Sequence, residues 1–407
     1  MNTSLTRRLW IQAGLAAAVG VFMRTPVEAQ SAAMPFERWV AAFRSRAAAR
    51  GVSDATYAQV MNGLKPDTRV YALDRAQPEF DEEVWQYLNR RVSDWRVMTG
   101  KERVKEHAGL LARIEQDYGI DRYIMLGLWG MESGFGDVVA NPRYMRPVFP
   151  ALAALAWGEP RRRPYWEKEL LNALVIVQRG WSQPNEMIGS WAGAMGHTQW
   201  MPEVWLNMGV DYDNDGRTTP FSPDDSLAGT ARYLVQRGRY RRGEEWGCEV
   251  RATAGRPKGG MRTYARWQAA GVSRADGKPF AHPNHQARLW VPVPGGPAFL
   301  IGQNFFAVRS YNPSMNYTLA IVHLADRIRG EGTFVRQFPG GERPLTLAEI
   351  QEVQRRLTAA GFDTGGADGR VGNETMVAVR NFQRKVGIDP ADGYAGLKVL
   401  ARLRQGA

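Results

Sequence analysis

Tyr118 to Asp137, YGIDRYIMLGLWGMESGFGD, leaves a chain few ways to fold. Asp121 suits an N-cap, and Ile124, Leu128, Trp129 and Met131 recur at the spacing of one helix face. The stretch predicts a helix that ends near Ser133-Gly134. An apolar helix of this kind has to be buried, and it carries one carboxylate, Glu132, in its last turn.

Three effects act on that carboxylate in one direction. Leu128 and Trp129 lie on the same helix face and set apolar surface against it, which disfavours the charged form. The negative end of the helix macrodipole disfavours it again. No Lys or Arg lies between Arg122 and Arg143 in the sequence to offset either effect. The expectation is a carboxylic acid with a raised pKa, able to donate a proton near neutral pH, as glycosidic-bond cleavage requires. A glutamate at a helix end is also what a solvated helix terminus carries, so the remainder of the chain has to decide.

The 407 residues, 44% of them hydrophobic, suffice for a sizeable core and two to three domains. A formal net charge of +12 attracts anionic partners, nucleic acid and an anionic cell-wall polymer both being eligible. The chain has no RNA-binding signature, zinc-finger spacing or basic heptad region, so no nucleic-acid partner is expected. Its 14 Trp and 14 Tyr offer flat faces that pack on sugar rings as well as in cores.

Residues 1–29 read as a signal peptide: Arg7-Arg8, an apolar run from Leu9 to Met23, then Val27-Glu28-Ala29 as a small-residue cleavage pattern. Thr6-Arg7-Arg8-Leu9-Trp10 resembles a twin-arginine signal, and ordinary Sec export fits as well. The run is short for a membrane span. Cys248 is the only cysteine, so an intrachain disulfide is excluded, and no cysteine near the cleavage point could carry a lipid. The expected location is the periplasm, as a soluble, exported protein that is not a lipoprotein.

From Met34 to about Gly100 the pattern is helical, with Phe36, Trp39, Val40 and Phe43 on one face. Two amphipathic helices are expected between Val148 and Gly180, with the basic run Arg161-Arg162-Arg163 as the turn between them, placed where it could touch an anionic substrate. In Gly189 to Pro202, small residues let the backbone approach a ligand, and Gln199 offers an amide that both donates and accepts, as sugar hydroxyls and N-acetyl groups need. His197 reads as a local hydrogen-bonding residue, since five histidines form no cluster for zinc.

Asp211-Tyr-Asp-Asn-Asp-Gly216 has the opening of a calcium loop, with Asp211, Asp213 and Asp215 as candidate ligands for a structural ion. The loop's twelfth position is Ser222 instead of Glu, and Asp224 or Asp225 could substitute from downstream. Ser226 to Tyr240 predicts a helix with Tyr233 facing a cleft, and Arg251 to Gly296 a strand-and-loop insertion. Tyr311 to Tyr317 is expected as an exposed loop, because Pro313 interrupts any helix before Leu319 to Ile328. Residues 336–344 form a linker, and 345–407 a separate unit of three helices.

Glu132-Ser133-Gly134-Phe135-Gly136, Ala192-Gly193-Ala194-Met195-Gly196 with Gln199-Trp200-Met201-Pro202, and Tyr311-Asn312-Pro313-Ser314 with Tyr317, in that order, resemble the membrane-bound lytic murein transglycosylase B family. Asp74-Arg75 with Gln77-Pro78-Glu79-Phe80 resembles that family's helical leader, and Trp200 stands where Phe is usual. Gly366 to Gln383, with Asp368-Gly369, Gly372, Thr375 and Phe382-Gln383, is similar to a three-helix peptidoglycan-binding module.

The resemblance implies a mainly α (α+β) fold: a lysozyme-like catalytic domain over 30–335 with a small strand/loop insertion, and a peptidoglycan-binding domain over 345–407. It implies cleavage of the β-1,4 bond between N-acetylmuramic acid and N-acetylglucosamine with formation of a 1,6-anhydro product. Glu132 matches the family's catalytic acid/base, and Ser133, Gln199, Tyr233, Tyr311, Asn312 and Tyr317 match positions lining its glycan groove. No cofactor is required, and the expected partners are peptidoglycan glycan strands, with other cell-wall enzymes as further candidates, for a monomer. A hydrolytic muramidase on the same fold and a catalytically dead wall-binding scaffold stand as alternatives.

Overall fold

The computed structural model describes residues 34–75, 82–139, 141–252 and 260–406. The segment read as a signal peptide and the string Gln77-Pro78-Glu79-Phe80 lie outside the described residues. Among those described, no helix is long and apolar enough to cross a membrane.

Two crossing helices form the axis of the molecule. In Arg122–Ser133 the Asp121 carboxylate accepts Tyr123 N at 2.8 Å as the N-cap, and Gly134, in the left-handed region, ends the helix one residue after Ser133. Every residue from Ile124 to Met131 is buried. Met315–Arg329 crosses this helix at Gly127, where an added Cβ would lie 2.6 Å from the Ile321 carbonyl oxygen, so only glycine admits the approach. Leu126, Leu128, Trp129, Leu319, Ile321 and Leu324, from the two helices, belong to one buried cluster. Each such burial contributes about 1.5–3 kcal/mol. Packing therefore holds the helix, since Gly127 and Gly130 each cost roughly 1 kcal/mol of intrinsic propensity.

A second core unites Phe36–Ala48 and Asp54–Met61 with Val148–Gly158 and Arg163–Gln178. Phe36 and Phe43 are buried there, with Trp39 and Val40 packed beside them. Val148–Gly158, expected to be amphipathic, is buried on nearly every face, which its run of alanines and leucines permits.

The insertion is an antiparallel sheet of five strands in the spatial order Arg262–Thr263, Gln286–Trp290, Ala298–Gly302, Gly247–Arg251, Ser273–Arg274. It begins before and ends after the expected span of Arg251 to Gly296. Ala298–Gly302 is buried at every position, so it shows no polar alternation by which a strand could be recognised. Tyr264–Ala269 adds a short helix inside the insertion.

The C-terminal unit packs Leu347–Ala359, Asn373–Val386 and Leu397–Arg404 around Val353, Leu357, Val379, Phe382 and Leu400. A capping box between Thr346 and Glu349 opens its first helix. The segment before it is anchored at both ends: Phe338 enters the main core, and the Glu342 carboxylate accepts Leu397 N at 2.7 Å.

Candidate active site

Glu132 faces a cavity of about 1250 Å³. Its walls come from the end of the Arg122–Ser133 helix, the loop at Tyr311, the start of Arg163–Gln178 and, across the opening, the C-terminal unit from Thr364 to Arg380. Tyr165 and Trp191 bring aromatic faces to it.

The Tyr317 hydroxyl donates a hydrogen bond to Glu132 Oε1. Tyr317 starts the second axial helix, where Ser314 caps its backbone N–H, and only 7% of it is exposed. The expected exposed loop thus ends in a buried tyrosine that reaches across to the acid. Burial, and then the neighbouring Glu132 carboxylate, push the Tyr317 hydroxyl well above its ordinary value of 10.0, so it stays a donor.

Of the other sequence candidates, Ser133, Tyr311 and Asn312 line the cavity with Glu132. Ser133 is buried and its hydroxyl is committed to the fold: it donates to His197 O at 2.5 Å and accepts Gly136 N at 2.9 Å. Tyr311 donates to Thr198 O at 2.6 Å and packs edge-on against Tyr233 at 5.1 Å. Asn312 accepts Ser314 N at 3.1 Å, and Tyr233 donates to Ser310 O at 2.8 Å. Gln199 turns its amide onto Gly196 O at 2.9 Å, its backbone being in the left-handed region at φ 56. Gln199, Tyr233 and Tyr317 are not among the described residues lining the cavity; Tyr317 lies behind it and reaches Glu132 through its hydroxyl.

His197 ties the glycine-rich loop to the Arg122–Ser133 helix. Trp129 Nε1 donates to its Nδ1 at 3.1 Å, which leaves Nε2 to carry the proton toward Phe221 O at 3.1 Å. Burial lowers its pKa from 6.5 to about 4, so the ring stays neutral.

Two further carboxylates lie on the cavity wall, Asp368 and Glu374, and both are engaged. Asp368 accepts Gln354 Nε2 at 3.1 Å and Arg370 N at 2.9 Å, while Glu374 pairs with Arg143. Sequence reading gave the C-terminal residues no part in this cavity, since only the packing of one unit on the other brings them there. Arg162 is the one member of the basic run that lines it; Arg161 pairs with Glu159 and Asp74.

The Asp-rich loop brings Asp211 and Asp213 together with Asp225, their ligand oxygens within 4.8 Å of one another. Asp215 is outside that group among the described residues, and its carboxylate caps Arg217 N at 2.8 Å. Ser222, at the position where a calcium loop carries Glu, donates to Asp213 at 2.8 Å. Three carboxylates offer an all-oxygen donor set that suits a hard cation such as calcium.

A mainly helical domain with its acid at the end of a buried helix, opening on a groove, is of the lysozyme-like class. The chain belongs to the transglycosylase SLT domain family, whose model matches residues 35–326. A putative peptidoglycan binding domain matches 346–403. Membrane-bound lytic murein transglycosylase B of Escherichia coli is 28% identical over 244 residues, 60% of this chain and 66%, just under two thirds, of that relative. SltB3 of Pseudomonas aeruginosa, solved in complex with NAG-anhNAM-pentapeptide, is 39% identical, with a TM-score of 0.70 over 91% of this chain and 99% of that one. Slt35 of Escherichia coli, solved with calcium, is 25% identical, with a TM-score of 0.60 over 71% of this chain and 92% of that one.

Proposed function

We propose that this protein is a lytic transglycosylase of peptidoglycan, cutting the β-1,4 bond between N-acetylmuramic acid and N-acetylglucosamine, with Glu132 as acid and then base. The observation that carries the reading is that, among the described residues lining the groove, Glu132 stands without a second carboxylate free to act, Asp368 and Glu374 being engaged. A two-carboxylate hydrolase needs a second such group to activate water or to form a glycosyl ester.

One acid suffices when the nucleophile is part of the substrate. Tyr317 donates to Glu132 Oε1 and orients the carboxyl, which carries the proton toward the glycosidic oxygen. The bond from the muramic acid C1 to the leaving oxygen breaks as that oxygen takes the proton, and an oxocarbenium-like centre develops. The carboxylate then removes the proton of the same sugar's C6 hydroxyl as O6 bonds to C1, giving the 1,6-anhydro ring and restoring the acid. Tethering the nucleophile avoids the entropic cost of bringing in a second molecule.

The same reading places the protein in the periplasm as a monomer, acting on glycan strands held by the groove and the C-terminal unit. Calcium at Asp211, Asp213 and Asp225 would brace the loop beside Pro223–Gln236 and take no part in the chemistry. Glu132→Gln tests the assignment in a peptidoglycan zymogram. Clearing should disappear while the protein still sediments with the insoluble polymer; a variant that clears the gel would remove Glu132 from its role.

A further inference from the structure

Among the described residues, seven arginines and three carboxylates line the Glu132 cavity, and three of those arginines are ion-paired: Arg90 with Glu82, Arg143 with Glu374 and Arg370 with Asp137. The most confined of them is Arg96. Its Nε donates to Gly130 O at 3.1 Å and its Nη1 to Arg90 O at 3.2 Å, so backbone carbonyls hold it from behind. Among the described residues no carboxylate pairs with it.

A second guanidinium is brought to the same place by the other unit. Arg96 lies 5.8 Å from the centre of the Trp95 ring, and Arg370 lies over that ring at 4.4 Å. The cluster borders the end of the catalytic helix, since a Cβ on Gly134 would be 3.3 Å from Trp95 and 3.6 Å from Arg370. Burial, followed by the charges of Arg91, Arg90 and Arg370, lowers Arg96 from 12.5 to about 9.

Arg162 repeats the pattern from another wall. It is exposed, stacks at 4.9 Å on Tyr165 and 4.6 Å on Trp166, and has no carboxylate partner among the described residues. Gathering like charges on one surface is unfavourable unless an anion offsets it. The sugar backbone supplies none, because its hydroxyl and acetamido groups are neutral and the lactyl carboxyl is tied up as an amide. In this polymer the negative charge resides on the free carboxylates of the peptide stems.

We infer that the groove recognises glycan strands by the carboxylates of their peptide stems, with Arg96 and Arg162 as two of the contacts. The inference rests on the proposed reaction and names the form of polymer that reaction prefers. Arg is suited to this task, because its planar fork meets a carboxylate with two parallel hydrogen bonds.

The test uses the full chain and two purified polymers: strands that keep their stems, and the same strands stripped of them by an amidase, with the lactyl carboxyl that this frees capped as its methyl amide so that the stripped strand carries no negative charge. The wild-type protein should favour the stem-bearing strands by about tenfold, chiefly through a lower KM, and lose part of that preference as salt is raised. Arg96→Gln and Arg162→Gln should each bring the ratio of the two substrates toward one. Because Arg162 is exposed, its variant tests the inference even if Arg96→Gln folds poorly. A general structural defect would lower both substrates together and leave the ratio unchanged, which would overturn the inference. So would equal KM values for the two polymers in the wild type. A protein that cuts neither polymer would overturn the proposed reaction itself.

Discussion

Tyr317 gives Glu132 a fixed direction, and the cost of losing it can be stated in advance. Tyr317→Phe keeps the ring in its buried place and removes only the donor to Oε1. A lost hydrogen bond to a carboxylate is worth about 1.5–3 kcal/mol, so kcat should fall roughly 10- to 100-fold. KM should change little, because the ring and the groove remain. Steady-state turnover of a defined glycan reads both quantities, and an unchanged kcat would contradict the role. Glu132 itself was legible in the sequence because its apolar neighbours follow from local helical spacing. The inward turn of Ser133 and Gln199 was not, since their partners His197 and Gly196 are set by how the glycine-rich loop folds back. Counting cations along the sequence failed for a similar reason: Arg96 is remote in the chain yet bonds Gly130 O, two residues from Glu132.

The axial crossing at Gly127 makes the position of Glu132 a property of two helices. Gly127→Ala places a methyl against the Ile321 backbone, which cannot rotate away, and overpacking of this kind costs about 1–3 kcal/mol. Chemical denaturation should show that loss, and activity should fall as the acid shifts relative to Tyr317; a fully stable, fully active variant would contradict the crossing. The far end of the same helix pair carries a partly buried acid. Burial pushes the Asp326 carboxyl from 3.8 up to about 7, against the opposing hydrogen bond from Trp246 Nε1 at 3.0 Å. A carboxyl raised in the folded state favours folding while protonated. Its contribution is fully present below about pH 4 and is lost as pH rises through about 7. Asp326→Asn keeps an acceptor for Trp246 and removes the charge. Its melting temperature should match the wild type near pH 4 and exceed it near pH 8, to be checked by thermal melts; the same difference at both pH values would contradict the assignment. The helices were readable from periodicity and capping residues, as Asp121 shows. The sheet was harder, because a strand buried on both faces, such as Ala298–Gly302, carries no alternation.

The molecule as a whole closes its groove with its own C-terminal unit. Arg370 pairs with Asp137 and Arg143 with Glu374, while Asn89 donates to the Tyr394 hydroxyl at 3.0 Å and Trp85 packs edge-on against that ring at 5.0 Å. The three helices of this unit could be read from the sequence; their place beside Glu132 could not, since long-range polar pairs leave no local pattern. The proposed reaction in the closed groove turns on one step, in which a lone acid makes the substrate's own C6 hydroxyl the nucleophile. Mass spectrometry of the fragments released from purified peptidoglycan tests it most directly. Muramic acid ends one water lighter than hydrolysis would leave them are the predicted result; ends that have gained water would contradict the claim and make the protein a muramidase.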